Sequence, residues 1–95
     1  MALPDGLLDD AKNALDITWD DQSTDRKLEG ILERGIKYID DKAGAELDYS
    51  EEGNHRELLF EYARYARDGK FSEFLTAYVH ELSDLQLTQR MAEDV

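Results

Sequence analysis

No cysteine occurs anywhere in the 95 residues of this chain. That removes a disulfide framework, a thiolate nucleophile and a zinc–thiolate site from the functions open to it, and it suits an intracellular product. Proline is almost as scarce, with Pro4 its single instance, so nothing interrupts a long helix. No window approaches the roughly 18 consecutive apolar residues of a membrane span. The first ten residues, MALPDGLLDD, lack a basic region followed by an apolar run, and no signal peptide is expected. Basic residues are also in short supply. Lys and Arg number 11 against 23 Asp and Glu, a net charge of −12.

The acidity is uneven. Residues 1 to 53 hold 15 acids and 6 bases, a net of −9, whereas residues 54 to 95 hold 8 and 5, a net of −3. Affinity for nucleic acid comes largely from cations that displace counterions at phosphates, so this chain should repel DNA. Solubility and solvated helix faces account for the acids; the sharper reading is a surface past which DNA slides without sticking. The length is that of one domain, residues 1 to 95, with one modest core. Such a domain is marginally stable alone, and docking on copies or partners fits it.

What the chain does have is helical periodicity. The expected fold is all-α, a compact bundle of four main helices over about 5–15, 21–43, 54–68 and 72–86, with a longer loop at 44–53. Asp5 caps or starts the first helix in this reading, and Leu7, Leu8, Ala11, Ala14 and Leu15 form its buried side, with Ile17 following. The second begins between Asp20 and Thr24. Its stripe, Leu28, Ile31, Leu32, Gly35, Ile36 and Ile39, is unbroken, and Gly44 suits the left-handed position past its end. Gly35 lies on that stripe, so close approach by another helix is expected there; Gly30 lies off it and has no such explanation. In the loop, Leu47 and Tyr49 alternate with acids and allow a short extended piece. Asn54, with Glu57 three residues on, resembles a capping box for the third helix, and Ser72 is placed to cap the fourth. The third and fourth hinge at Asp68-Gly69. Leu58, Leu59, Tyr62, Tyr65 and Ala66 on one, and Phe71, Phe74, Leu75, Tyr78, Val79, Leu82 and Leu85 on the other, read as core. Trp19, just ahead of the second helix, reads as a core plug, with an exposed anchor at a partner surface as the other reading. Residues 88–95 have little periodicity and are expected to form a flexible tail.

Chemistry is hard to find. His55 and His80 are the two histidines, and neither belongs to a metal-ligand spacing such as HExxH. A calcium loop starting at Asp21 would place Arg26 where a glycine must turn the chain and Leu32 where a bidentate acid is needed, so it fails. An acyl carrier would need Asp-Ser-Leu at a helix start; Gln22-Ser23-Thr24 and Ser83-Asp84-Leu85 do not match. No nucleophile elbow or phosphate-binding glycine loop occurs. No catalytic residue, cofactor or metal site is expected, and the chain reads as a non-enzyme. Arg56, Arg64 and Arg67 recur near helical spacing on the third helix, among Glu57, Glu61 and Asp68. They read as intrahelical ion pairs or subunit contacts, for which a guanidinium is suited by its bidentate geometry.

Three stretches carry a family resemblance. A short helix leads into LDITWDDQSTDRKL, with Ile-x-Trp-Asp-Asp before a long helix; that helix is LEGILERGIKYIDDKAG, ending at Gly44; and LLFEYARYARDGKFSEFLTAYVHELSDLQL sets Glu61-Tyr62-Ala63-Arg64-Tyr65 before a helix ending Leu82-x-x-Leu85-x-Leu87. In order and spacing the chain resembles the small all-helical head–tail connector, or adaptor, proteins of tailed phages and prophages, which complete the head. Each stretch is built of common residues, and their succession is more specific than any one of them. The resemblance implies a structural virion protein that assembles as a ring, typically dodecameric, beneath the portal protein. Such a ring extends the DNA channel and supports a downstream head-completion or tail protein, while DNA passes without specific binding. The protein would then reside at the head–tail interface of the virion and in the host cytoplasm during assembly, and it could be monomeric alone. Candidate subunit or partner contacts are Arg56, Arg64, Arg67, Glu46, Asp48, Tyr49 and Arg90, with the arginines facing acids of a neighbour's second helix. The competing reading, carried by the net charge, is an acidic helical regulator such as a DNA-mimicking inhibitor that binds a protein partner.

Overall fold

The computed structural model describes residues 3–19 and 21–84, and over these the chain is all-α. Four helices follow one another: α1 (Leu7–Ala14), α2 (Gln22–Ala43), α3 (Asn54–Arg67) and α4 (Phe71–Ala77). A further helical stretch, 79–84, continues from α4 after a break at Tyr78. No strand forms among the described residues, so the alternation of Leu47 and Tyr49 with acids does not produce an extended ladder.

Helix α2 is the axis of the molecule, about 33 Å long at 1.5 Å per residue. Asp21 caps it: its carboxylate accepts from the backbone N–H of Ser23 and Thr24 and from the Thr24 hydroxyl at 2.8 Å. At the other end Gly44 takes the left-handed conformation (φ 75°) and its N–H returns to the Asp40 carbonyl. Leu28, Leu32, Ile36 and Ile39 are buried along one side and meet Leu58, Leu59, Tyr62 and Ala63 of α3. The two helices touch most closely at Gly35. A methyl group there would lie 2.7 Å from both Leu59 Cδ1 and Tyr62 Cδ1, so hydrogen is the side chain the contact requires. The close approach expected from the sequence is present.

Several ends differ from expectation. Gly6, not Asp5, holds the N-cap position of α1. Gly53 precedes α3 and Asn54 is already its first residue, making no side-chain cap bond. The anticipated capping box fails because Asn54 stands one position too far into the helix. Lys70 precedes α4, which starts at Phe71, so Ser72 lies inside the first turn; there its carbonyl accepts from the Thr76 hydroxyl at 3.3 Å. The helix expected over 72–86 is divided at Tyr78, and residues 85 and 86 lie outside the described part, as does the tail at 88–95.

The core gathers Leu7 and Ala11 of α1, Ile17, the facing sides of α2 and α3, and Phe74 and Leu82 of the last two helical stretches. Aromatic rings join the helices: Phe71 of α4 meets Tyr38 of α2 edge-on at 5.4 Å and Tyr62 of α3 at 5.6 Å, and Phe74 stacks on Tyr78 one turn along at 5.2 Å. Trp19 is not a core plug; half of it is exposed. Lys12, by contrast, is buried on α1, where its ammonium lies 3.0 Å from Asp25 of α2.

Candidate functional site

The three arginines of α3 part company in the structure. Arg56 reaches across to α1, pairing with the Asp10 carboxylate, while its guanidinium lies 5.3 Å from the Phe60 ring. Its side chain is 14 % exposed, so most of it is used inside the chain. Arg64 donates to the Ala14 carbonyl at 2.8 Å, satisfying the C-terminal end of α1, and comes within 3.8 Å of Glu61. Half of that side chain remains in solvent. Together the two pin the short α1 against α3, which a reading of α3 alone, with its intrahelical acids, did not foresee. Arg67 is exposed, with no partner among the described residues.

The loop between α2 and α3 is folded back onto α2. Tyr49 is buried in the core, and its hydroxyl donates to Asp40 Oδ1 at 2.8 Å. The same oxygen accepts from the Leu47 N–H at 3.2 Å. Burial first, then the facing Asp40 carboxylate, pushes the Tyr49 phenol far above its ordinary value. As a contact for a partner Tyr49 is therefore corrected: its ring anchors the loop instead. Asp48 is exposed, and bonds from the Ser50 hydroxyl and then the Ser50 N–H hold its carboxyl below the usual range. His55 Nε2 donates to the Asp48 carbonyl at 2.6 Å, and its ring meets Tyr49 edge-on. Glu46 is exposed on the same loop, whereas Arg90 lies outside the described residues.

Two surface features stand out from these placements. One is an open groove of about 800 Å³ between α3, the end of α1 and the last helical stretch. Leu58, Phe60 and Ala14 line its apolar part, and Glu57, Glu61, Glu81 and Asp84 add carboxylates. The Tyr78 hydroxyl donates to Glu61 Oε2 at 3.2 Å in it, and burial, then Glu61, raise the Tyr78 phenol. The other is a set of large apolar side chains left in solvent: Trp19, Phe71, Leu75 and Val79. Their exposure overturns the reading of the whole stripe as core: among its described residues Phe74 and Leu82 are buried and Tyr78 is partly buried. Among the described residues no group of three or more His, Cys, Asp or Glu side chains is placed to hold a metal, and no helix is long and apolar enough to cross a membrane. Comparison with family models, curated proteins and solved structures returns no match.

Proposed function

We propose that this chain is a head–tail connector of a tailed phage or prophage, a structural protein that forms a ring beneath the portal. The observation that carries the reading is the succession of a short helix, Ile-x-Trp-Asp-Asp, a long helix closed by Gly44 and a hairpin hinged at Gly69. In the structure these stretches are α1, the exposed Trp19 segment, α2 with its Asp21 cap, and the α3–α4 pair. A ring subunit has to present two different patches to its neighbours, and exposed apolar groups at Trp19 and along Phe71, Leu75 and Val79 supply candidates. The net charge of −12 supports a channel lining that does not hold DNA. The subunit ring is dodecameric on the portal in this proposal, its next partner is a head-completion or tail protein, and its place is the virion.

The test is to mix the purified protein with the portal protein encoded in the same genome and to image the complex by electron microscopy. Ring-shaped density added below the portal is expected; a portal that stays bare, or a genome without one, overturns the proposal. The groove bearing Glu57, Glu61, Glu81 and Asp84 favours a second reading, an acidic regulator whose carboxylates occupy a DNA-binding protein. That reading requires competition with DNA for such a protein, measurable by displacement of labelled duplex.

A further inference from the structure

The large apolar side chains that α4 and the α1–α2 connection leave in solvent fall into two groups. Phe71, Leu75 and Val79 are spaced four residues apart and form one stripe, with Phe71 37 %, Leu75 36 % and Val79 50 % exposed. Trp19, also 50 % exposed, precedes the opposite end of α2. Between the stripe and α2 lies a groove of about 250 Å³, lined by Tyr38, Lys42, Leu75, Val79, Leu82 and Ser83. Small-molecule sites run to roughly 300–1,000 Å³, so this one is the size for a single large side chain.

Its chemistry suits an indole. Tyr38 offers an aromatic wall, Leu75 and Val79 an aliphatic one, and the Lys42 ammonium stands 5.5 Å from the Tyr38 ring, where it can also meet the face of a second aromatic group. Arg34 and Lys42 flank Tyr38 one turn away on either side of it along α2, and Lys70 is exposed just before Phe71, with the exposed acids Asp41 and Glu73 interspersed among these three bases. Of the acids on the last helical stretch, Glu81 and Asp84 line the other groove. Acids dominate around Trp19 in the chain: Asp16 and Asp21 are exposed within three residues of it, Asp20 adjoins it in sequence, and the nearest bases in sequence, Lys12 and Arg26, are each seven residues away.

We propose that copies of this chain join head to tail, with Trp19 of one copy seated in the groove between Tyr38 and the Leu75–Val79 face of the next. One molecule cannot close the contact on itself, because about 33 Å of α2 separates its two halves. Both complementary halves are present on the same chain, which selects a second copy as the occupant. The contact is heterologous and propagates; its closure into a ring rests on the connector reading above. One side chain and its collar bury less than the roughly 1,200 Å² at which stable interfaces begin, so the dilute protein is a monomer and association has a Kd of about 0.1–1 mM.

Trp19 is the single tryptophan of the chain, so its emission reports the contact directly. The wild-type protein should sediment as a growing series of species with rising concentration, with emission shifting to the blue in step. Trp19→Ala and Leu75→Asp should each remain monomeric while keeping the wild-type circular dichroism and unfolding midpoint. Mixed, they should form a one-to-one heterodimer and nothing larger, with blue-shifted emission, since the Leu75→Asp copy brings Trp19 and the Trp19→Ala copy an intact groove. Self-association of Trp19→Ala at wild-type strength, a mixture that stays monomeric, or a wild type that stays monomeric at about 1 mM overturns the contact. Trp19→Ala that still forms a ring on the portal overturns the contact while leaving the connector reading in place. A bare portal beside intact Trp19-dependent association overturns the connector reading and leaves the contact standing.

Discussion

The facing sides of α2 and α3 and the outer face of α4 carry apolar residues at the same helical spacing, yet they end in different places. Leu28, Leu32, Ile39 and Leu59 are all but inaccessible, whereas Phe71, Leu75 and Val79 keep a third to a half of their surface in water. What separates them is the partner each helix finds. Gly35 lets α3 approach α2 until Leu59 and Tyr62 fill the space a side chain would take. On α4 only Phe71 of the outer stripe meets rings of α2 and α3, those of Tyr38 and Tyr62, while Leu75 and Val79 border a groove beside α2 that stays open, so this face is only partly covered. Periodicity identifies a face that has to be covered and leaves open whether the same molecule covers it.

Substitutions should separate the two regions, beginning with the buried contact. Leu59→Ala removes a fully buried side chain and should cost about 3 kcal/mol, seen as a large fall in the denaturant midpoint. Gly35→Ala gains helix propensity, but its methyl meets two core side chains at 2.7 Å; a net loss of about 1–2 kcal/mol is expected. Tyr49→Phe leaves Asp40 without one donor and should cost about 1 kcal/mol by chemical denaturation at neutral pH. The folded phenol titrates above its unfolded value, so its contribution is full below about pH 10 and is lost as pH rises beyond that. The Phe variant should therefore lack that part of the alkaline fall in stability. Gly30→Ala has only the end of Arg34 near its new methyl, at 3.4 Å, and should stabilise by up to about 1 kcal/mol. Leu75→Ser, on the outer face, should stay within about 0.5 kcal/mol of wild type. A cost for Leu75→Ser as large as that of Leu59→Ala would abolish the distinction between the regions.

The parts of this fold that were legible in the sequence are those set by neighbours in the chain. The stripe of α2, its start at Asp21, its stop at Gly44 and the need for close approach at Gly35 all depend on residues within a turn or two. The Asp21 carboxylate is held below its usual value first by the Thr24 hydroxyl and then by the Ser23 N–H, both local. The cap it supplies is thus present above the unfolded carboxyl pKa and is lost as pH falls through the lowered folded one. Asn54 and Ser72 were misplaced by local reasoning because one residue of offset turns a cap into a first-turn position. Less of the candidate site was legible. Arg56 and Arg64 find Asp10 and Ala14 far away in sequence, and Lys12 finds Asp25 across the helix pair. Tyr49 resembled a loop contact because its acidic neighbours are exposed, while its own partner, Asp40, sits on α2. Trp19 shows the converse: a large aromatic residue reads first as a core plug and second as an exposed anchor, and acids on both sides of it in the chain are the sign that it faces water.

The most direct test compares the wild-type protein with Leu75→Asp on the portal by electron microscopy, with thermal unfolding measured in parallel. Ring density below the portal for the wild type, lost in the variant although its unfolding midpoint is unchanged, is the result expected of a connector assembled through the outer face of α4. A portal left bare by the wild-type protein would contradict the account.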